Sequence, residues 1–140
     1  MPKASAFCQT FHVNSLANNI DQYRDEIKVA FPAIPQFEVT IPRFGLTLHP
    51  WDEWSKPHGV PFWWTAYNKT KHHRHAEYHQ ANLKNALNSV AGLFVAVLHL
   101  YREKARAGEL LPPAHLLRVA DRHFLGDTHQ GYEFGINYDV

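Results

Sequence analysis

The feature that most constrains the fold is a long apolar periodicity in the second half of the chain. Between about Glu77 and Ala107, large apolar residues recur every three or four positions, the spacing that places side chains on one face of an α-helix. Gly108 is a natural end for such a helix. The chain is therefore expected to build its core around one long amphipathic helix. Its predicted buried face consists of Leu83, Leu87, Val90, Phe94, Val97, Leu98 and Tyr101, widened by Ala86, Leu93 and Leu100.

Shorter patterns before this helix predict one more helix and a β-hairpin. Residues 14–30 carry apolar side chains at spacings of three and four, which is typical of a short amphipathic helix that Pro32 would end. In residues 37–49, apolar and polar side chains alternate in two runs, which is the periodicity of β-strands. The segment between the two runs, residues 42–45, contains proline and glycine and is suited to a turn.

Three further segments complete the predicted order of elements. Residues 50–61 contain Trp51, Trp54 and several prolines, which favours an ordered loop held by aromatic burial. Residues 114–122 have the spacing of a short helix, and residues 126–140 have the composition of one more edge strand. The predicted fold class is therefore mainly α with a small β component, a helical core joined to a short antiparallel hairpin or sheet.

The length and charge of the chain indicate a single domain without a strong overall field. A chain of 140 residues is the usual size of one domain, here residues 1–140. Lys and Arg number 14 against 13 Asp and Glu, so any contact with a nucleic acid depends on a local basic patch. The 11 histidines predict a gain of positive charge on mild acidification, because free imidazole titrates near pH ~6.5.

Cysteine content and hydropathy point to a cytoplasmic setting. Cys8 is the only cysteine, which excludes intramolecular disulfides and is compatible with a reducing compartment. The start of the chain lacks the apolar run of a signal peptide, and the best apolar stretch, residues 90–100, is shorter than the ~20 residues of a membrane span. We therefore expect a cytoplasmic protein with no membrane partner.

The most unusual chemistry lies in residues 68–79, here called the basic segment. It holds two lysines, one arginine, four histidines and a single acid, and it follows Trp63, Trp64 and Tyr67. Aromatic faces that stack on bases, next to cations that neutralise phosphate, are what single-stranded nucleic-acid sites need. A simpler interpretation, preferred for the tryptophans, is that they fill the core while the charged residues face solvent.

A two-residue motif within the basic segment resembles a known superfamily. Arg74 is followed by four intervening residues and then His79, and a polar residue, His75, comes directly after the arginine. This arrangement resembles the HEPN superfamily, whose nuclease members carry such a motif at the start of a late helix. The wider run Trp-Trp-x-x-Tyr-Asn-Lys-x-Lys-His-His-Arg also looks like a group of uncharacterised bacterial proteins of HEPN-like character, over roughly residues 37–107.

The resemblance implies metal-independent RNA cleavage at the interface of a homodimer, with Arg74 and His79 as the catalytic pair. A ribose 2′-hydroxyl would attack the adjacent phosphate, His79 would exchange protons, and Arg74 would steady the developing charge. No cofactor is expected. Such families act in toxin–antitoxin and antiphage systems, so RNA, a second copy and an antitoxin protein are the expected partners. The expected substrate-binding residues are Tyr67, Asn68, Lys69, Lys71, His72, His73 and His75.

The resemblance also sets an expectation for the fold. A HEPN domain is usually a bundle of four or five helices, and the helical hairpin that precedes its motif is not evident in this sequence. The expected domain is therefore a shortened or divergent HEPN-like core, or one completed by its partner subunit.

Other interpretations of the same residues remain open. His75 and His79 are four residues apart and could share a helical face as zinc ligands, but Glu77 does not directly follow the first histidine as a zincin requires, so no metal site is predicted. The motif also fits a non-catalytic helical module that binds RNA, a nucleotide or a protein. Asn82, Asn85 and Asn88 repeat every third residue and indicate either a polar seam against a partner or hydrogen bonds into the site.

Overall fold

The computed structural model describes residues 16–140, so Cys8 and the start of the predicted helix over residues 14–30 lie outside the described residues. The described chain is mainly helical with small antiparallel sheets, as the sequence predicts. The helices are α1 (Ile20–Ala30), α2 (Phe62–His72), α3 (Arg74–Glu77), α4 (Leu83–Leu100) and α5 (Arg102–Ala107). The strands are β1 (Val39–Ile41), β2 (Leu46–Leu48), β3 (Arg118–Val119), β4 (Phe124–Gln130) and β5 (Glu133–Tyr138).

The chain divides into two compact units. The first consists of residues up to Phe37 together with His49–Gly92, and the second of Glu38–Leu48 together with Leu93–Val140. The first unit holds α1, α2, α3 and the start of α4, and the second holds all five strands and α5. The assignment of the whole chain to a single domain stays a prediction.

A cluster of tryptophans organises the first unit. Trp51, Trp54 and Trp63 are all buried, and the ring of Trp51 lies 4.2 Å from that of Trp54 and 5.1 Å from that of Trp63, centroid to centroid. The Trp63 indole N–H donates to the Pro50 carbonyl at 2.7 Å, and the Trp51 N–H donates to the Gly92 carbonyl at 3.2 Å. The loop prediction for residues 50–61 is confirmed, with a short 3₁₀ turn at Asp52–Ser55.

Helix α1 begins later than the sequence pattern predicts. Asn19 caps it, since its side-chain oxygen accepts from the Gln22 amide at 3.0 Å, and Leu16 is exposed before the first turn. Asn is among the best residues at this position, because it satisfies an amide that has no partner within the helix. The cap at Asn19 therefore sets the start of the helix at Ile20.

The hairpin prediction is confirmed in the second unit. Strands β1 and β2 pair antiparallel with Val39 opposite Leu48, and Gly45 ends the connecting turn with a left-handed φ of 60°. Strand β3 then pairs antiparallel with the other edge of β1, giving the order β2-β1-β3.

Two predictions for the C-terminal third were wrong. Residues 114–122 do not form a helix: Leu117 and Val119 are buried at alternate positions, and the chain enters the sheet as β3. Residues 126–140 contain two strands instead of one edge strand, because Gly131, with φ 64°, reverses the chain between β4 and β5. In both cases pairing with a distant or returning segment decides the structure, and local periodicity does not report such pairing.

The long helix also differs from its prediction. It is shorter than residues 77–107 and stops at Leu100, where Tyr101, with φ −105°, separates α4 from α5. Its buried face is also different, because Leu83, Val90 and Leu93 are 73%, 52% and 63% exposed. The buried residues on α4 are mostly small or polar ones: Asn88, Ala91, Gly92, Val95, Ala96, Leu98 and His99.

Packing against tryptophan explains why a small residue is buried at Gly92 on α4. A Cβ atom placed on Gly92 would lie 2.9 Å from the Trp63 ring, closer than real Cβ atoms approach their neighbours. Bulky indole rings therefore need a small-residue surface opposite them, and an apolar periodicity that counts large residues misses that surface.

Of the helices in the described part of the chain, α4 alone is long and apolar enough to cross a membrane, with mean hydropathy 1.4 and 39% of its residues buried. Core helices of soluble proteins pass the same test of length and composition, so the described structure is compatible with a soluble protein.

Candidate functional site

The basic segment occupies three short consecutive elements in the first unit. Residues 68–72 form the end of α2, Arg74 starts the four-residue helix α3, and His79 lies in the 3₁₀ turn Tyr78–Gln80. The motif therefore lies before the long helix, since α4 begins only at Leu83. Arg74 and His79 lie on the connection between two helices.

Backbone geometry explains why the helix is interrupted here. His73 ends α2 with φ −131° and ψ 47°, outside the helical region, and its amide donates to the Lys69 carbonyl at 2.8 Å. Asn82 then starts α4, because its side-chain oxygen accepts from the Asn85 amide at 3.0 Å. An asparagine at such a cap competes with continuation of a helix through it.

The asparagine repeat holds the end of the basic segment. The Asn82 side-chain amide donates to the His79 carbonyl at 3.1 Å, and that of Asn85 donates to the Gln80 carbonyl at 2.8 Å. Asn88 instead donates to the carbonyl of Lys84 within α4. Of the two sequence interpretations, hydrogen bonds into the site are confirmed for Asn82 and Asn85. These bonds fix the backbone of His79 relative to the first turn of α4.

The predicted site residues are largely open to solvent. Asn68 is half-buried and the Tyr67 side chain is 45% exposed. All the lysine, arginine and histidine residues of the basic segment are exposed: Lys69, Lys71, His72, His73, Arg74, His75 and His79. The segment therefore offers its charges to an external ligand.

The two proposed catalytic side chains have different surroundings. Within residues 16–140, the Arg74 side chain has no hydrogen bond and no ion pair, so its guanidinium is available to an anion. The His79 Nε2 atom lies 3.8 Å from the Glu77 carboxylate and 3.0 Å from the Gln80 side-chain nitrogen, with 68% of the His79 side chain exposed. In the described chain, no hydrogen bond or ion pair joins Arg74 to His79.

The structure also bears on the zinc interpretation. His75 and His79 lie on separate short elements instead of on one helical face. Over residues 16–140, no group of three or more His, Cys, Asp or Glu side chains is arranged to hold a metal ion.

A groove of about 640 Å³ lies beside the basic segment, and we call it the aromatic groove. It runs between α2 and the first turns of α4, entirely within the first unit. The Lys71 ammonium lies 5.9 Å from the centre of the Tyr67 ring, so a cation stands at the groove's edge. The groove is lined by Trp63, Trp64, Ala66, Tyr67, Thr70, Gln80, Ala81, Asn82, Leu83, Asn85, Ala86 and Ser89.

Sequence reasoning identified only part of this site. Tyr67 was predicted as a binding residue, whereas Trp64 was assigned to the core and Leu83 to the buried face of the long helix. Trp64 is in fact half-buried in the groove wall. The available signal was the position of Trp64 and Tyr67 three residues apart, which places both side chains on the same side of a helix.

No protein-family model matches this chain, and neither a curated protein nor a solved structure is significantly similar to it.

Proposed function

We propose that the protein is a metal-independent endoribonuclease of HEPN type that uses Arg74 and His79 as its catalytic pair. The observation that carries the proposal is the exposed Arg74 guanidinium, which has no partner within residues 16–140, followed shortly along the chain by the exposed His79 imidazole. Imidazole exchanges protons near neutral pH, and guanidinium binds phosphate oxygens in a bidentate manner.

The proposed reaction is an in-line displacement at phosphorus. The 2′-oxygen of a ribose loses its proton and forms a bond to the adjacent phosphorus, while the bond from phosphorus to the 5′-oxygen of the next nucleotide breaks. That 5′-oxygen takes up a proton, so the products are a 2′,3′-cyclic phosphate and a 5′-hydroxyl. His79 exchanges these protons, and Arg74 stabilises the negative charge that develops on the phosphorane oxygens.

The remaining basic residues bind the strand. Lys69 and Lys71 neutralise phosphates, and His75 orients the substrate or His79. His72, His73, Tyr67 and Asn68 complete the contact surface, all of it on or beside α2 and α3.

A second copy of the chain would complete this site. Within residues 16–140, the side chains that contact the His79 imidazole are Glu77 and Gln80, so no second imidazole is paired with His79 for proton exchange. A homodimer with two facing motifs would supply a second proton-exchanging group. The proposal includes a shortened HEPN-like core, a cytoplasmic toxin or antiphage role, and control by an antitoxin protein.

The proposal is tested by incubating wild type, Arg74→Ala and His79→Ala with mixed cellular RNA in excess EDTA and analysing the fragment ends. We expect wild type to cleave and to leave 2′,3′-cyclic phosphate, and both variants to lose at least ~100-fold in rate, because His79→Ala removes the proton-exchanging group and Arg74→Ala removes the charge-stabilising group. Arg43→Ala and His115→Ala are matched controls, since both side chains are exposed and lie outside the first unit. Intact RNA with folded wild-type protein would contradict the proposal.

The aromatic groove favours a second candidate, a non-catalytic module that binds RNA, a nucleotide or a protein partner. A groove with aromatic walls and a cationic edge is a binding feature that cleavage itself does not require. This candidate predicts that Arg74→Ala weakens RNA binding while no cleavage is detected for any protein. Binding measured in the same EDTA buffer separates it from the nuclease.

A further inference from the structure

The aromatic groove has the dimensions and wall chemistry of a site for a flat ring. Its volume of about 640 Å³ falls within the range of small-molecule pockets. The Trp64 ring meets Trp63 edge to face, with centroids 6.2 Å apart, and Trp63 is in turn held by its hydrogen bond to Pro50. Trp64 is therefore positioned by the buried tryptophan cluster before any ligand arrives.

The groove's edge carries the charge that a phosphodiester strand needs. Lys71 lies over the ring of the groove residue Tyr67, and Lys84, which is adjacent in sequence to two groove residues of α4, lies 5.1 Å from the centre of the Phe62 ring. The basic segment continues from this edge, with Glu77 as its single acid. An apolar helix of a protein partner would gain nothing from these cations, whereas the phosphates on either side of a base would.

One wall also offers a defined polar atom. The Asn85 side-chain nitrogen donates to the Gln80 carbonyl at 2.8 Å, which fixes the orientation of the amide. Asn85 lines the groove, and its side-chain oxygen has no hydrogen bond within residues 16–140, so it can accept from a ligand N–H. Exocyclic amino groups of adenine, cytosine and guanine present such donors.

We infer that the aromatic groove binds one unstacked base of single-stranded RNA, with Tyr67 and Trp64 as its stacking surfaces. This inference rests on the proposed function, because it names the substrate feature that the same site recognises. The flanking phosphates then lie along Lys71 and the basic segment, and this places the next phosphodiester bond towards Arg74.

The test compares binding of an eight-nucleotide 2′-O-methyl oligoadenylate with binding of an abasic 2′-O-methyl oligomer of equal charge, in EDTA and at fixed salt, because these oligomers lack the attacking hydroxyl and are not cleaved by the proposed reaction. Wild type is expected to bind oligoadenylate at least about tenfold more tightly, since each stacked base contributes substantially to affinity. Tyr67→Ala is expected to remove most of that difference and Tyr67→Phe to keep it, because phenylalanine retains the aromatic face. Tyr132→Ala is the matched control, since Tyr132 is fully exposed in the other unit.

A second variant tests the groove without removing an aromatic ring. Ala86 is an exposed groove residue on α4, and Ala86→Leu adds bulk to the groove while leaving the tryptophan cluster intact. It is expected to reduce the preference for oligoadenylate without changing abasic binding.

The outcomes separate the inference from the function on which it rests. Equal wild-type affinity for the two oligomers, together with RNA cleavage, would overturn the base site and leave the nuclease standing. A preference that survives both Tyr67→Ala and Ala86→Leu would also overturn it. Binding of neither oligomer and no cleavage would overturn both proposals.

Discussion

The tryptophan cluster and the basic segment lie close together along the chain, but their polar groups differ in whether they have hydrogen-bond partners within the protein. Two of the three buried indoles donate to carbonyls of the protein itself, whereas Arg74 has no partner within residues 16–140. Both regions are unusual in composition, but packing in the core explains only the tryptophans of the first region and not the exposed cations of the second. The difference teaches that the aromatic residues of a single helix, α2, divide between a buried side that packs in the core and an exposed side that packing does not explain.

Replacing one aromatic residue from each side of α2 should give the largest contrast. Trp63→Ala is expected to lower the free energy of unfolding by about 3 to 5 kcal/mol, because it leaves a cavity in a buried cluster. Tyr67→Ala should cost less than about 1 kcal/mol, since the tyrosine is 45% exposed. Urea unfolding of both variants measures the contrast, and equal losses would show that the division of α2 is wrong.

A pair of smaller changes sharpens the comparison inside the cluster itself. Trp63→Phe removes an N–H donor and leaves the buried Pro50 carbonyl without its partner, whereas Trp54→Phe removes a buried N–H that has no hydrogen-bond partner among residues 16–140. Trp63→Phe should therefore be more destabilising by about 1 to 3 kcal/mol, the cost of an unsatisfied buried group. The two variants lose similar volume, so each is the other's control in thermal or urea unfolding. The opposite order would mean that ring packing outweighs hydrogen bonding here.

Histidines also differ in burial, and the expected effect of this difference on the free energy of unfolding is smaller. His99 on α4 is 4% exposed, and burial lowers its pKa, against the opposing hydrogen bond to the Val95 carbonyl. Below about pH 6.5 the unfolded chain binds a proton at this position that the folded chain does not. The contribution of His99 to stability is therefore complete above that pH and is lost as the pH falls towards the lowered folded value.

This pH dependence is measured by urea unfolding of wild type and His99→Gln between about pH 8 and pH 5. Wild type should lose stability on acidification more steeply than the variant, because glutamine does not titrate. His123 also has a pKa lowered by burial, so part of the slope should survive in His99→Gln. An identical slope in the two proteins would show that His99 is not the group responsible.

The parts of the fold that were predicted correctly depend on local chemistry. The β1–β2 hairpin follows from alternation over a few residues and a glycine at a left-handed position, and the loop of residues 50–61 follows from its prolines and tryptophans. The wrong assignments, residues 114–122 and 126–140, depend on pairing with strands elsewhere in the chain. The buried face of α4 was missed because Gly92 and Ala91 are small, and small residues carry little weight in a hydropathy pattern.

In the candidate site, too, local sequence predicts some features, while others depend on how the chain folds. The residue types that can bind RNA were recognisable from composition and spacing around Arg74. Their placement was not, because it depends on the cap at Asn82 and on the end of α2 at His73. Trp64 and Leu83 are recognised as residues of the site only from the groove between the two helices.

The tryptophan cluster has a further consequence for how this protein can be studied. Indole rings 4.2 and 5.1 Å apart, held at fixed angles, couple their electronic transitions and give a circular dichroism signal that depends on the folded geometry. Trp64, whose ring centroid lies 6.2 Å from that of Trp63, is the half-buried indole in the groove wall, where a stacked base would quench its fluorescence. The tryptophan cluster is therefore a native optical probe of folding, and Trp64 is a native probe with which the proposed base site can be tested, with no added label.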